Sequence, residues 1–260
     1  PHPYLVRVGE HVRIHQGDIL DRGAVREVVR SVDPEIVYHL AGQAVPTLAS
    51  ADPIAAIRIN VVGTATLVEA LSAHPRARLV AASSADVYGR PERVPIREDE
   101  PLRPANVYAA TKVAAESVLR ARAGGAVTIL RPANQVGPRQ HARLAASEFA
   151  KQIAEAEAGF GEALIRHGDL DARRDFLDVR DMAAAYVAAG SLEHDGTEVF
   201  NVGTGEPVSV GEILAILRRL ARVPVRTERD PERVRAGVPP VLSLDSSRFR
   251  ARTGWAPRIP

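Results

Sequence analysis

Arg78-Leu79-Val80-Ala81-Ala82-Ser83-Ser84 is an apolar run that stops at two hydroxyls. A little further on, Asn106-Val107-Tyr108-Ala109-Ala110-Thr111-Lys112 opens a helical pattern. A short apolar run of this kind reads as a strand buried on both faces. Asn106 reads as the residue that caps the following helix. Tyr108 and Lys112, four residues apart, fall one turn apart on the same helical face. An ammonium beside a phenol makes the phenol easier to ionise, and such a phenol can pass a proton to or from a substrate oxygen. Composition adds weight, because the chain has only two lysines, Lys112 and Lys151, and otherwise writes Arg for positive charge.

Working outward, the same alternation recurs. Residues 11–14 read as a short strand running into Gln16-Gly17-Asp18-Ile19, and 20–32 as a helix closed by Asp33-Pro34. A buried strand, 35–40, ends at Ala41-Gly42, and a long amphipathic helix, 53–73, contains Asn60-Val61-Val62-Gly63-Thr64. A further strand, 127–130, ends at Arg131-Pro132. Strands alternating with helices imply βαβ units and a parallel sheet. The polar candidates all follow strand ends, where ligands bind in open α/β sheets. The fold expected is α/β, a Rossmann-like doubly wound parallel sheet, over residues 1–132. Residues 133–260 read as a smaller α/β lobe with some segments returning to the sheet. Its elements are helices at 145–157, 182–192, 210–221 and 246–253 and strands at 163–167, 199–202 and 223–227, with a polar stretch over 168–181.

The 260 residues are of ordinary apolar and charged content, with a formal net charge of +2 and Arg and Glu interleaved. That pattern argues against a nucleic-acid surface. No apolar run reads as membrane-spanning, and residues 1–3 do not open a signal peptide, so the expected location is cytoplasmic. The chain has no cysteine, which excludes disulfides and thiolate chemistry. The scattered histidines give no metal-ligand spacing. A dinucleotide-binding sheet normally opens with a Gly-rich turn between strand and helix. None follows an early strand here, so either the sequence enters partway through the first half of the fold, which its ragged start favours, or a dinucleotide-binding reading is wrong.

Gly17-Asp18-Ile19, His39-Leu40-Ala41-Gly42-Gln43-Ala44, Asn60, Ser83-Ser84, Tyr108 with Lys112, and Arg131-Pro132 occur in one order. In that order they resemble the extended short-chain dehydrogenase/reductases that act on nucleotide sugars, the NAD-dependent epimerase/dehydratase family. Within it, three stretches are most similar to the reductases of GDP-4-dehydro-6-deoxy-D-mannose: 84–89, 134–140, and 149–154 with 168–179. Dehydratases of the family carry Thr-Ser-Glu or Thr-Asp-Glu where this chain has Ser84-Ala85-Asp86, which favours a reductase. The alternatives are a 4,6-dehydratase or 4-epimerase of the same family, and a non-catalytic nucleotide-sugar-binding or scaffold protein.

The resemblance implies NADP or NAD, in reduced form, as hydride donor. Tyr108, Ser84 and Lys112 become catalytic: Tyr108 protonates the new alkoxide, Ser84 bonds the same oxygen, and Lys112 lowers the phenol's pKa and holds the nicotinamide ribose. Asp86 is a weaker catalytic candidate. Asp18 and Ile19 are expected at the adenine, Leu40, Ala41 and Gly42 along the pyrophosphate and ribose, and Asn60 and Ser83 nearby. Asn134, Lys151, Arg174 and Arg235 are expected on the nucleotide sugar, a GDP-sugar by preference. Ala133 stands where the family usually has an aromatic, and Val238 where many relatives carry a Glu. The family also implies a homodimer built on the Asn60 and Tyr108 helices.

Overall fold

Every second side chain of a buried strand faces the opposite layer, and the central strands here use both sets. The computed structural model describes residues 12–122, 124–234 and 239–260. In chain order, the first part holds α1 (Arg22–Val32), β1 (Ile36–His39), α2 (Pro46–Ala51), α3 (Pro53–Ile57), a π-helical turn Arg58–Val62 and α4 (Gly63–Ala70). β2 (Arg78–Ala82), α5 (Val107–Arg120) and β3 (Val127–Pro132) complete it. Then follow β4 (Asn134–Val136), α6 (Ala145–Glu157), β5 (Leu164–His167), β6 (Arg173–Asp178), α7 (Val179–Gly190), β7 (Thr197–Val202) and β8 (Pro207–Ser209). The last elements are α8 (Val210–Leu220), β9 (Arg226–Arg229), β10 (Val241–Leu242) and α9 (Ser247–Thr253).

β1, β2, β3 and β7 form one parallel sheet in that order. Leu79, Ala81 and Ile129 pack with Val29 of α1, Leu67 of α4, Leu119 of α5 and Leu71, just past α4, on one face. Val80 and Leu130 pack with Met182, Ala185, Phe200, Phe249 and Trp255 on the other. Helices cover both faces, so the sheet is Rossmann-like and doubly wound. Full burial of each large apolar side chain here contributes on the order of 1.5–3 kcal/mol. The remaining strands make two small sheets: β10-β6-β4, with β8 antiparallel on β6, and the parallel pair β5-β9.

Four expectations change. Residues 12–17 are exposed and form no strand. No described strand lies outside β1 to pair with them, and a strand without a ladder leaves its backbone groups to water. The long helix 53–73 is continuous but takes a π turn at Arg58–Val62, centred on Asn60. This same Pro53–Ala73 stretch, with a mean hydropathy of 1.5 and 44% burial, is long and apolar enough to cross a membrane by length and composition, contrary to the sequence reading. The polar stretch 168–181 contains β6, whose Asp175 is fully buried and accepts hydrogen bonds from the Thr204, Gly205 and Leu244 amides. Its oxygens are met by these amides and by the Thr204 hydroxyl, a pattern that hydrophobic periodicity does not register.

Candidate functional site

The carboxyl end of β2 supplies the first half of the site. Beyond it, the Ser84 Oγ accepts from the Asp86 amide at 3.2 Å and caps the short 3₁₀ turn Ala85–Tyr88. Gly89 closes that turn at φ 58°, where a Cβ would stand 1.8 Å from the Arg103 carbonyl oxygen, so only glycine fits. The second half comes from α5, whose first turn is capped by the Asn106 Oδ1 accepting from Ala109 N at 2.9 Å. Cap and helix together carry Tyr108 to a side-chain hydrogen bond with Ser84. One turn on, Lys112 Nζ donates to the Ala82 carbonyl at 2.9 Å and lies 5.9 Å from the Tyr108 ring centroid. Strand end, turn and helix thus bring Ser84, Tyr108 and Lys112 together.

Their electrostatics differ from the sequence expectation. Burial pushes the Tyr108 phenol up to about 12; the Ser84 hydrogen bond works against this, and the nearby Asp86 carboxylate adds to it. Lys112 does not lower it. Instead, burial brings the Lys112 ammonium down to about 8, against the pull of Glu116. A phenol held this high stays protonated near neutral pH, which suits a proton donor better than a base.

Beneath the pair lies a buried polar network whose role the sequence did not reveal. Arg131 Nε and Nη2 fork onto the two Glu116 oxygens at 2.9 and 2.7 Å. Arg131 also donates to the Tyr88 hydroxyl, which donates in turn to Asn201 Oδ1 at 2.7 Å. Ser83 Oγ donates to Glu116 at 2.5 Å, so the Ser83 hydroxyl faces this network rather than an open surface. Glu116 and Arg131 are each 2% exposed, and a pair so deep persists only when bidentate and fully bonded. Arg131-Pro132 was visible as a motif. The one further signal was Glu116, a turn beyond Lys112.

The end of β1 faces the same edge. Leu40, Ala41 and Gly42 are exposed, Leu40 at 56%. A Cβ at Gly42 would stand 2.9 Å from Asn60 Oδ1 and 3.6 Å from Lys112 Nζ. The Asn60 amide accepts from Gln43 N at 2.7 Å and donates to Gln43 O and to Thr111 Oγ1. Ile19 packs on the α1–α4 core and against Gly63, where a Cβ would meet it at 2.8 Å. Asp18 is exposed and accepts from the Leu20 amide.

The residues expected on the nucleotide sugar are less assembled. Arg174 is 8% exposed and donates to the carbonyls of Arg173, Pro239 and Pro240, which ties the 239–240 segment to β6. Lys151 sits on the exposed side of α6, 3.5 Å from Glu155. Asn134 begins β4, half-buried beside Phe176. Asp86 is half-buried in the Ser84 turn. Arg235 and Val238 lie outside the described residues. Ala133 is buried, 3.1 Å from where a Cβ at Gly203 would stand.

Comparison with known proteins shows the family and the fold. The family model described as GDP-mannose 4,6 dehydratase covers residues 4–260. The GDP-6-deoxy-D-mannose reductase of Pseudomonas aeruginosa is 34% identical over 251 residues, 94% of this chain and 82% of the relative. A UDP-glucose 4-epimerase of Mycolicibacterium smegmatis is 34% identical over 258 residues, with 94% and 77% covered. Among solved structures, RMD from Pseudomonas aeruginosa complexed with NADPH superposes with a TM-score of 0.87 at 31% identity, covering 99% of this chain and 88% of that one. The Thermus thermophilus UDP-glucose 4-epimerase complex with NAD gives 0.84 at 28% identity, covering 97% and 82%. The chain belongs to the GDP-mannose 4,6-dehydratase family.

Proposed function

We propose that this chain is an NAD(P)H-dependent reductase of nucleotide sugars, acting on the 4-keto group of GDP-4-dehydro-6-deoxy-D-mannose to give GDP-D-rhamnose. The observation that carries this reading is the Tyr108 phenol, buried, bonded to Ser84 and held protonated by its surroundings. The reductase relative supports the choice of substrate.

The residues present fit a nicotinamide nucleotide. Leu40, Ala41 and Gly42 form an exposed shelf at a strand's carboxyl end, and the absent side chain at Gly42 leaves Lys112 Nζ close behind it. An ammonium carries three donors, and Ala82 takes one. Once bound, the cofactor supplies the hydride for the ketone carbon. Tyr108 then gives its proton to the oxygen on which charge develops, and Ser84 donates a hydrogen bond to that oxygen. Lys112 holds a positive charge beside the phenolate that remains. Donors aimed at a developing oxyanion contribute roughly 2.7–4 kcal/mol each. Asp86, whose carboxylate lifts the Tyr108 pKa, keeps the acid loaded.

Incubation with the GDP-4-keto-6-deoxy sugar and NADPH, followed at the nicotinamide absorbance band, tests the reading. Oxidation of NADPH with formation of the 6-deoxy hexose is expected. The epimerase relative, also 34% identical, supports a second reading. Conversion of UDP-glucose with added NAD and no net change in reduced nicotinamide would establish it and sink the first.

We also propose a homodimer. Ile54, Ile57 and Val62 stand exposed on the 53–73 helix. Ala110 and Ala114 are accessible on α5, whereas Ala109 and Ala115 pack inward. Sedimentation equilibrium of the wild type and of Ile54→Glu checks it, with a dimer expected for the first and a monomer for the second.

A further inference from the structure

His39, the last residue of β1, is 7% exposed, and its Nε2 lies 2.9 Å from Thr64 Oγ1. Thr64 is 2% exposed and donates its one hydroxyl hydrogen to the Asn60 carbonyl at 2.6 Å. With that hydrogen spent, the hydroxyl can only accept from the ring, so Nε2 carries the proton and the tautomer is fixed. The bond from Thr64 reaches back one turn, into the π segment Arg58–Val62. Back-bonding threonines bend helices, and isolated π turns concentrate at functional positions.

From the other side, the Asn60 amide grips the Gln43 backbone in both directions and also donates to Thr111 Oγ1, which donates to the Tyr108 carbonyl at 2.7 Å. An unbroken chain of hydrogen bonds therefore runs from the end of β1, through the π turn, to the Gln43 loop and the first turn of α5. It sets the distance between the Leu40–Gly42 shelf and the Tyr108–Lys112 face, where Asn60 Oδ1 already leaves only 2.9 Å for a Cβ at Gly42. Neither His39 nor Thr64 lies on that shelf.

We infer that His39 and Thr64 are positioning residues for the nicotinamide nucleotide, locking the π turn so that Asn60 holds the shelf and α5 at the spacing the cofactor needs. This rests on the cofactor reading above. Burial of the ring and, after it, the neighbouring Lys112 charge bring the His39 pKa down to about 4 and keep the ring neutral, in agreement with the fixed tautomer.

The test compares Thr64→Val, which keeps the shape and loses the hydroxyl, with Thr64→Ser, which keeps the hydroxyl. NADPH binding to the full chain is titrated by cofactor fluorescence without sugar nucleotide, and hydrogen exchange at the Gln43 amide is followed without any ligand. Thr64→Val is expected to weaken NADPH binding roughly tenfold, the equivalent of about 1.4 kcal/mol, and to speed Gln43 exchange. Thr64→Ser restores both, and the KM for the sugar nucleotide stays put. Unchanged Gln43 exchange in Thr64→Val, or equal weakening in both variants, overturns the inference. Faster exchange in Thr64→Val alone, with no NADPH bound even by the wild type, upholds the relay and overturns the cofactor reading instead.

Discussion

Lys112 and Lys151 carry the same ammonium on the same flexible stem, yet their surroundings differ in every respect. Lys112 is 9% exposed, donates to the Ala82 carbonyl and has its pKa drawn down to about 8. Lys151 leaves 59% of its side chain in solvent and pairs with Glu155 along one face of α6. The difference extends to the regions around them. At the edge formed by β1, β2 and α5, polar groups are buried, and each bonds to a strand end or a helix turn. Around α6 and α8, apolar contacts among Phe149, Ile153, Ile165 and Leu214 hold the fold, and the charges stay outside. Burial makes a charge chemically particular, because it then depends on a few fixed partners. A solvated charge has no such dependence.

Substitutions at the buried edge should therefore have the largest effects. Tyr108→Phe removes the proton donor and leaves the ring, so kcat should fall about 10²- to 10⁴-fold with an unchanged thermal midpoint. Wild-type turnover in this variant would make the edge a structural feature only. Next comes the network beneath it. Glu116→Ala strands the buried Arg131 guanidinium, which should cost about 3–5 kcal/mol of stability, measured by urea unfolding. A loss as small as that of a surface pair would show that the Arg131–Glu116 fork adds nothing to the fold.

The pH profile sharpens the comparison further. Tyr108, pushed up to about 12, stays protonated through the working range. Lys112, brought down to about 8, loses its proton as pH rises through that value. The reductive kcat/KM should therefore be flat below pH 8 and decline above it, because this ratio reports the free enzyme's groups. Lys112→Arg, which cannot be deprotonated, should lower the rate but abolish the decline. A decline that persists in that variant would assign it to another group.

The sequence made the parts of this edge that depend on local rules readable. A buried run followed by Ser83-Ser84 predicted β2 and its end, and the spacing of Tyr108 and Lys112 placed both on one face of α5. Asn106 capped that helix as its side-chain chemistry requires. What stayed hidden depends on groups far apart in the chain. Glu116 and Arg131 meet only because β3 lies beside β2 and under α5, and the π turn at Asn60 lies next to a contact between Thr64 and a histidine 25 residues earlier. Arg174 is expected on the nucleotide sugar, and nothing local announces the Pro239 and Pro240 carbonyls that it holds. The Tyr108 pKa followed the same rule. The helical neighbour was legible, but the burial that raises the phenol was not.

Lys151 offers the smallest expected effect, and for that reason the sharpest limit on the comparison. Its ion pair is an i,i+4 contact between two mostly exposed side chains, worth about 0.3–0.5 kcal/mol. The resemblance of residues 149–154 to the reductases nevertheless placed it on the nucleotide sugar. The two readings predict different outcomes for Lys151→Ala. A solvated surface pair predicts a stability change within about 0.5 kcal/mol and a KM for the sugar nucleotide within about twofold of wild type, a change of under about 1 kcal/mol. A phosphate ligand predicts a KM rise of about tenfold or more, because a charge-assisted hydrogen bond contributes roughly 1.5–3 kcal/mol, with stability still unmoved. The geometry favours the first outcome: Glu155 already pairs with the ammonium, and no described contact carries it toward Tyr108. A tenfold rise would mean that α6 approaches the substrate on binding, and that exposure in the free chain conceals a binding residue.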